Sequence, residues 1–110
     1  MNEQVLQLEN ESEQLKAEGK NEEAIAKLTE ALAIDESFVR IHLALSVLYT
    51  KTEDFDKACA HAEKAVELEP GDAFNMAALS VTYQRAFEGT RDQAYIQKAE
   101  EALARGHGMG

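Results

Sequence analysis

The sequence has no tryptophan, one proline (Pro70) and a single cysteine (Cys59). A lone cysteine cannot close an internal disulfide, and no charged-then-apolar leader opens the chain. The expected setting is therefore a reducing cytoplasm. One proline and six glycines in 110 residues leave few breakers, and with abundant Ala, Leu, Glu and Lys this favours a single all-helical domain. No apolar run approaches the ~20 residues of a membrane span. Bases are scarce, 11 Lys and Arg against 21 Asp and Glu, a net charge of −10. A nucleic-acid binder needs a basic footprint, so that class is disfavoured. The acid is concentrated early: residues 1–38 hold ten acids and three bases, and residues 73–110 hold four of each. A solvated, solubilising surface accounts for this, and an end that steers a basic partner is the alternative.

What the chain does have is a repeat. Residues 39–72 read VRIHLALSVLYTKTEDFDKACAHAEKAVELEPGD. Two apolar-periodic runs flank a short break at Glu53-Asp54 and close at Pro70-Gly71-Asp72, the pattern of a helix, a tight turn and an antiparallel helix. At an offset of 34 residues Ala24 falls on Ala58, Ala31 on Ala65, Leu32 on Val66 and Ile34 on Leu68. Leu15 falls on Tyr49 and then Tyr83, Ser12 on Ser46 and then Ser80, and Leu45 on Leu79. The recurring positions are those that should pack.

A helix-turn-helix at this period, with Leu45-Ser46, Tyr49, Ala58, Ala65 and Pro70 in its middle unit, resembles the tetratricopeptide repeat family. The resemblance covers nearly the whole chain. It implies an all-α α-solenoid of three helix-turn-helix repeats wound as a right-handed superhelix. Repeats are expected at about 3–36, 37–70 and 72–105, within a single domain of 1–106 followed by a disordered tail at 107–110.

In the first helix Val5, Leu8, Ser12 and Leu15 form one stripe. Glu11 stands where Leu45 and Leu79 stand later, a polar substitution that suits a terminal repeat and is expected to leave this helix the least stable. Gly19 suits a positive φ at the first turn, and Asn21 is placed to cap the second helix, whose inward face is Ala24, Leu28, Ala31 and Leu32. Ser37 is placed to cap the third helix, which is apolar nearly all round, as a central helix should be. Ala58, Ala62 and Ala65 line one side of the fourth. Asp72 caps the fifth, on which Met76, Leu79, Ser80 and Tyr83 repeat the core stripe.

The period then slips. Leu15 to Ala31 and Tyr49 to Ala65 are each 16 residues, whereas Tyr83 to Ala102 is 19, an apparent insertion of three. It falls between Arg85 and Asp92, lengthening either the fifth helix or the loop. Gly89 is suited to end a helix, and Thr90 with Gln93 fits a capping box for a last helix at about 91–105. Ile96, Ala99, Ala102 and Leu103 are its expected inward residues.

By the same resemblance, the first helix of each pair lines a concave face. A stripe offset from the packing stripe gives the expected groove residues. They are Leu6, Glu9, Asn10 and Glu13, then Arg40, Leu43, Ala44, Val47 and Lys51, then Phe74, Ala77, Ala78, Val81 and Arg85. The middle of this groove is apolar, its first wall is acidic, and Arg40, Lys51 and Arg85 lie along the rest. Such a surface suits a peptide or helix with apolar anchors. A shallow face whose small residues merely bring helices together is the alternative use. Some family members grip acidic carboxyl-terminal tails of heat-shock chaperones through Lys, Asn and Arg. The corresponding sites here hold Glu9, Glu13, Ala44, Phe74 and Ala78, with Asn10 as the one amide, so an apolar or basic segment fits better than an acidic tail.

Catalytic candidates are thin. Cys59 and His61 are two apart on one helix and do not share a face. His42 aligns with Leu8 and Met76 as a packing residue. No glycine-rich phosphate loop, metal-spaced histidine pair or cofactor motif is present, and Gly-His-Gly around His107 is a weak signal. The expected role is thus a non-enzymatic protein–protein interaction module without metal or cofactor. A homodimer whose groove is covered by its own partner chain is the alternative.

Overall fold

A computed structural model describes residues 2–108. Within them the chain forms six helices: α1 (Glu3–Ala17), α2 (Asn21–Ile34), α3 (Val39–Lys51), α4 (Phe55–Leu68), α5 (Ala73–Thr90) and α6 (Ala94–Gly108). They pack as three antiparallel pairs, α1 with α2, α3 with α4 and α5 with α6, each stacked on the next. This is the all-α solenoid expected.

Small side chains set the spacing inside each pair. Ala24, Ala31, Ala58, Ala62 and Ala65 are fully buried, which lets neighbouring helix axes approach to the short end of the usual ~8–10 Å. Larger aliphatics then fill the space between pairs: Val5, Leu8, Ile25, Leu28, Ile41, Leu45 and Leu48 form one cluster. Cys59, Val66, Met76, Leu79 and Tyr83 belong to a second.

The first two hairpins close in the same way. At the end of α1, Lys20 N–H donates to the Leu15 carbonyl (2.8 Å) and Gly19 N–H to Lys16 (3.0 Å). At the end of α3, Asp54 N–H donates to Tyr49 (2.8 Å) and Glu53 N–H to Thr50 (3.1 Å). Both are Schellman motifs, which require a left-handed residue. Gly19 takes it at φ 80°, but in the second unit the non-glycine Glu53 is forced to φ 63°.

Three caps differ from expectation. α2 is preceded by Lys20, and Asn21 is already its first helical residue. α3 is preceded by Phe38, because the Ser37 hydroxyl and N–H both donate to Asp35 Oδ1 (2.6 and 2.9 Å) in a local turn. Gly89 does not stop α5, which runs on to Thr90 with Arg91 left-handed behind it. The Thr90 hydroxyl donates back to the Ala86 carbonyl (2.7 Å), and Asp92 Oδ1 accepts from Ala94 N–H (3.0 Å) at the start of α6. Gly89 has a different use: the Phe55 ring lies against its backbone where a side chain would stand.

The insertion also proves larger than three residues. Ser12 donates to the Ala24 carbonyl, twelve residues on (3.0 Å), and Ser80 to the Ala99 carbonyl, nineteen on (2.9 Å). The third hairpin is therefore seven residues longer, about two helical turns. Measured from those bonds, α5 runs five residues further past Ser80 than α1 does past Ser12, and α6 begins two residues further ahead of Ala99 than α2 does ahead of Ala24. In this register the counterparts of Ala24 and Ala58 are Ala99, and those of Ala31 and Ala65 are Gly106. At Gly106 a Cβ would lie 3.2 Å from Met76 Cβ. The last helix accordingly continues to Gly108, two residues into the segment expected as a disordered tail; residues 109–110 lie outside the described residues. Ala99 and Ala102 are buried as expected, but Ile96 and Leu103 are 38% and 42% exposed. Leu103 matches the buried Leu28 and Ala62 in this register, and no fourth pair stands beside it.

One polar residue is out of place. Asn75 occupies the position of Ile41 and is only 2% exposed, yet its Nδ2 has no hydrogen-bond partner. A buried donor left unmet costs ~1–3 kcal/mol. Asn75→Leu, which removes the donor and puts an aliphatic side chain where Ile41 stands in the second unit, should stabilise the protein by about 1 kcal/mol and raise Tm by several degrees; a lower Tm in a calorimetric scan would show that the amide is needed. Glu53→Gly should gain ~0.5–1 kcal/mol by relieving the left-handed strain, less the entropy that glycine adds to the unfolded chain. Urea titration of the two proteins checks this.

Candidate functional site

The first helices of the three pairs present the expected groove residues. Leu6, Asn10, Glu13, Arg40, Val47, Lys51, Phe74, Ala77, Val81 and Arg85 are exposed, and Glu9, Leu43, Ala44 and Ala78 are half-buried. They do not form one site. A cavity of 360 Å³ between α3 and α5 is lined by Leu43, Ser46, Val47, Phe74, Ala77, Ala78, Val81 and Thr82. A second of 320 Å³ continues from it along Val47, Thr50, Lys51, Val81, Thr82 and Arg85. Leu6, Glu9, Asn10, Glu13, Arg40 and Ala44 line neither.

The residues of α1 contribute differently. Glu9 accepts from Arg40 through both oxygens, Nε to Oε2 and Nη2 to Oε1, each at 2.8 Å. This bidentate pair bolts α1 to α3 and rests on the Phe38 ring, 4.9 Å from the guanidinium carbon. Much of the acidic wall's charge at Glu9 and of the basic charge at Arg40 is therefore spent inside the molecule, and Glu13 remains as the exposed acid of that wall.

Elsewhere the chemistry is structural. Cys59 is buried, and burial followed by the Glu63 charge pushes its thiol up to about 11, so the reactive thiolate is suppressed. Tyr83 donates its hydroxyl to Glu63. Its pKa is raised by burial and then by that bond. Tyr95 stacks beside it with centroids 6.2 Å apart. Among the described residues no three His, Cys, Asp or Glu side chains group as metal ligands, and no helix is long and apolar enough to cross a membrane.

Two features escaped the sequence reading. One is a 460 Å³ cavity at the open end of the stack, lined by Phe87, Ile96, Ala99 and Leu103 together with polar residues of α5 and α6. It lies beside Leu103, where a further pair would have packed. The other is a histidine pair. His42 is buried, and its Nδ1 lies 3.0 Å from Nδ1 of His61 on α4. Its Nε2 lies 2.9 Å from the Glu36 carbonyl. A carbonyl only accepts, so His42 Nε2–H donates. In the neutral ring His42 Nδ1 then accepts from His61 Nδ1–H. The His61 ring stacks on Tyr49, 5.6 Å between centroids and 9° between planes. The pair spans nineteen residues, so no local spacing rule could find it.

Burial, then the His42 and Lys57 charges, hold the pKa of His61 below its usual 6.5. Neutral His61 favours the fold, and below about pH 6.5 the unfolded chain takes up the proton first. Stability should thus be full above that value and fall as pH drops through it toward the lower folded pKa. Urea melts at pH 7.5 and 5.5 should show the loss in the wild type and a smaller one in His61→Gln.

The comparisons with known proteins bear on the fold. A family model described as tetratricopeptide repeat matches residues 15–80. No curated protein matches the chain by sequence. Among solved structures, the second TPR of Spaghetti (RPAP3) bound to HSP90 peptide SRMEEVD aligns with a TM-score of 0.76 at 19% identity, over 97% of this chain and 93% of that one. MamA aligns with a TM-score of 0.79 at 17% identity, over 96% of this chain and 57% of that one. The first TPR of Spaghetti (RPAP3), bound to the same peptide, aligns with a TM-score of 0.68 at 16% identity, over 98% of this chain and 94% of that one.

Proposed function

Since the chain belongs to the tetratricopeptide repeat family, we propose that it is a protein–protein interaction module that seats an apolar side chain of a partner segment between α3 and α5. The observation that carries this is the apolar floor of the 360 Å³ cavity. Phe74 is 70% exposed at its edge, and Val47 and Val81 are half exposed. Soluble proteins seldom leave such residues contiguous without a use for them. Phe74 and Ala77 are exposed, so neither is needed to hold the helices together. That favours a docking surface over a by-product of close packing.

The other groove residues have lesser parts in this reading. The ion pair of Glu9 with Arg40 fixes the edge of α3. Leu6, Asn10, Glu13 and Ala44 lie to its side, where Glu13 favours a basic residue on any partner that reaches across. The partner is a protein segment with an apolar anchor, and the acidic chain as a whole disfavours nucleic acid. Cys59 and Tyr83 are buried packing residues, and no enzymatic step is part of this role. The reading fits a cytoplasmic protein that binds without a cofactor.

Val47→Glu places a charge on the cavity floor at an exposed position. It should leave helicity unchanged by circular dichroism while weakening partner binding about tenfold or more. Unchanged binding would remove the cavity from the role. Light scattering on both proteins separates the other occupant: a wild-type dimer that Val47→Glu dissociates would place a second copy there.

A further inference from the structure

The furrow changes character along its length. Past Val47 and Val81 it continues into the 320 Å³ cavity, which shares Val47, Val81 and Thr82 with the apolar one. The charges lining the two are Lys51 and Arg85, and no carboxylate lines either. On a chain of net charge −10 this runs against the prevailing sign. Lys51 is exposed and makes no ion pair among the described residues. Arg85 meets Glu88 on its own helix at 3.0 Å, with both side chains about three-fifths exposed. An ion pair that open to water is weak, and the other guanidinium N–H groups stay open to a second carboxylate. Thr50 and Thr82 have turned their hydroxyl protons to the Ser46 and Ala78 carbonyls (2.9 Å each). Positive charge in this cavity is therefore supplied by the two cations.

We propose that the furrow binds an extended peptide, with an apolar side chain in the Leu43–Val47–Phe74–Val81 cavity and an Asp or Glu side chain two residues away between Lys51 and Arg85. This rests on the docking role given above and names its partner's chemistry. Lys51 and Arg85 each lie four residues, about 6 Å, along their helices from Val47 and Val81. Alternate side chains of an extended chain are spaced by about 6.6 Å on one face, which matches that step. α3 and α5 touch each other directly, so the furrow has the width of one inter-helix groove. That suits an extended chain better than a helix of ~10–12 Å diameter. The cationic lip is open, its two heads reaching from exposed positions on different helices. It fits a side-chain carboxylate on a segment that runs on past, whereas a chain terminus would need a walled socket.

The test is selection from a random linear peptide display library against the full chain, the Val47→Glu variant and the Lys51→Glu/Arg85→Glu double variant. All three changes are at exposed positions, and circular dichroism confirms folding. The wild type should enrich a large apolar residue with Asp or Glu two positions away. The double variant should keep the apolar preference and reverse the acidic one to Lys or Arg. A synthetic peptide selected on the wild type should bind the double variant about tenfold more weakly and lose affinity as salt rises. Enrichment of the anchor without the acid, or an acid unaffected by charge reversal, overturns the proposal and leaves the docking role standing. Peptides indifferent to Val47→Glu overturn both, as does the absence of any enrichment. A dimer dissociated by Val47→Glu makes a second copy the occupant and overturns the peptide reading.

Discussion

Everything in this molecule follows from how closely two antiparallel helices approach. Ala24 and Ala31 in the first pair and Ala58 and Ala65 in the second have no solvent exposure, and a larger side chain at any of them would have to push a helix away. In the third pair the same sites are Ala99 and Gly106, and Gly106 lies against Met76. Two serine hydroxyls at the register positions, Ser12 and Ser80, donate across the pair to a backbone carbonyl. That bond is possible only at short separation, and it fixes which residue faces which. Once each pair is closed this tightly, its outer surfaces have a fixed shape and the stacking of pairs follows.

The stack is then fastened by polar contacts between elements that the apolar core leaves at its margins. Glu9 and Arg40 join α1 to α3 on one side, and Tyr83 with Glu63 joins α5 to α4. The histidine pair ties α3 to α4 and to the Glu36 carbonyl in the linker between the first two units. These ties hold α3 in place, and α3 with α5 makes the furrow. The cation lip and apolar floor are thus built on helices rather than loops, so their spacing is set by the 1.5 Å rise of a helix. Three positions run against local preference: Glu53 and Arg91 are left-handed where a helix end turns back, and Asn75 is buried with its Nδ2 unpartnered.

The core and the exposed face of the first helices were legible because both are periodic. A stripe at spacings of three and four marks the side that packs, and its offset neighbour marks the side that does not. Caps were less legible because Ser37 and Thr90 each had a nearer bond to make, Ser37 to Asp35 and Thr90 back to Ala86, while Asn21 was already inside the helix. The insertion was misjudged because Ala102, an alanine on a helix rich in them, offered a plausible match three residues off. The hydrogen bond from Ser80 to Ala99 settles the register because the two ends lie on different arms of the hairpin.

The sequence by itself determined the number of helices, their pairing, the small residues between them in the first two pairs and the face of the first helices that is left partly open. All of these depend on side chains within a turn or two of each other, or on a repeat offset that can be read directly. The tertiary structure alone decided which cations face the furrow. Arg40 is spent on Glu9, thirty-one residues away, whereas Lys51 and Arg85 line a common cavity on different helices. It also decided that His42 meets His61 and that Leu103 faces outward. Each of these depends on how one pair sits against another, and that geometry arises only when all the pairs are packed together.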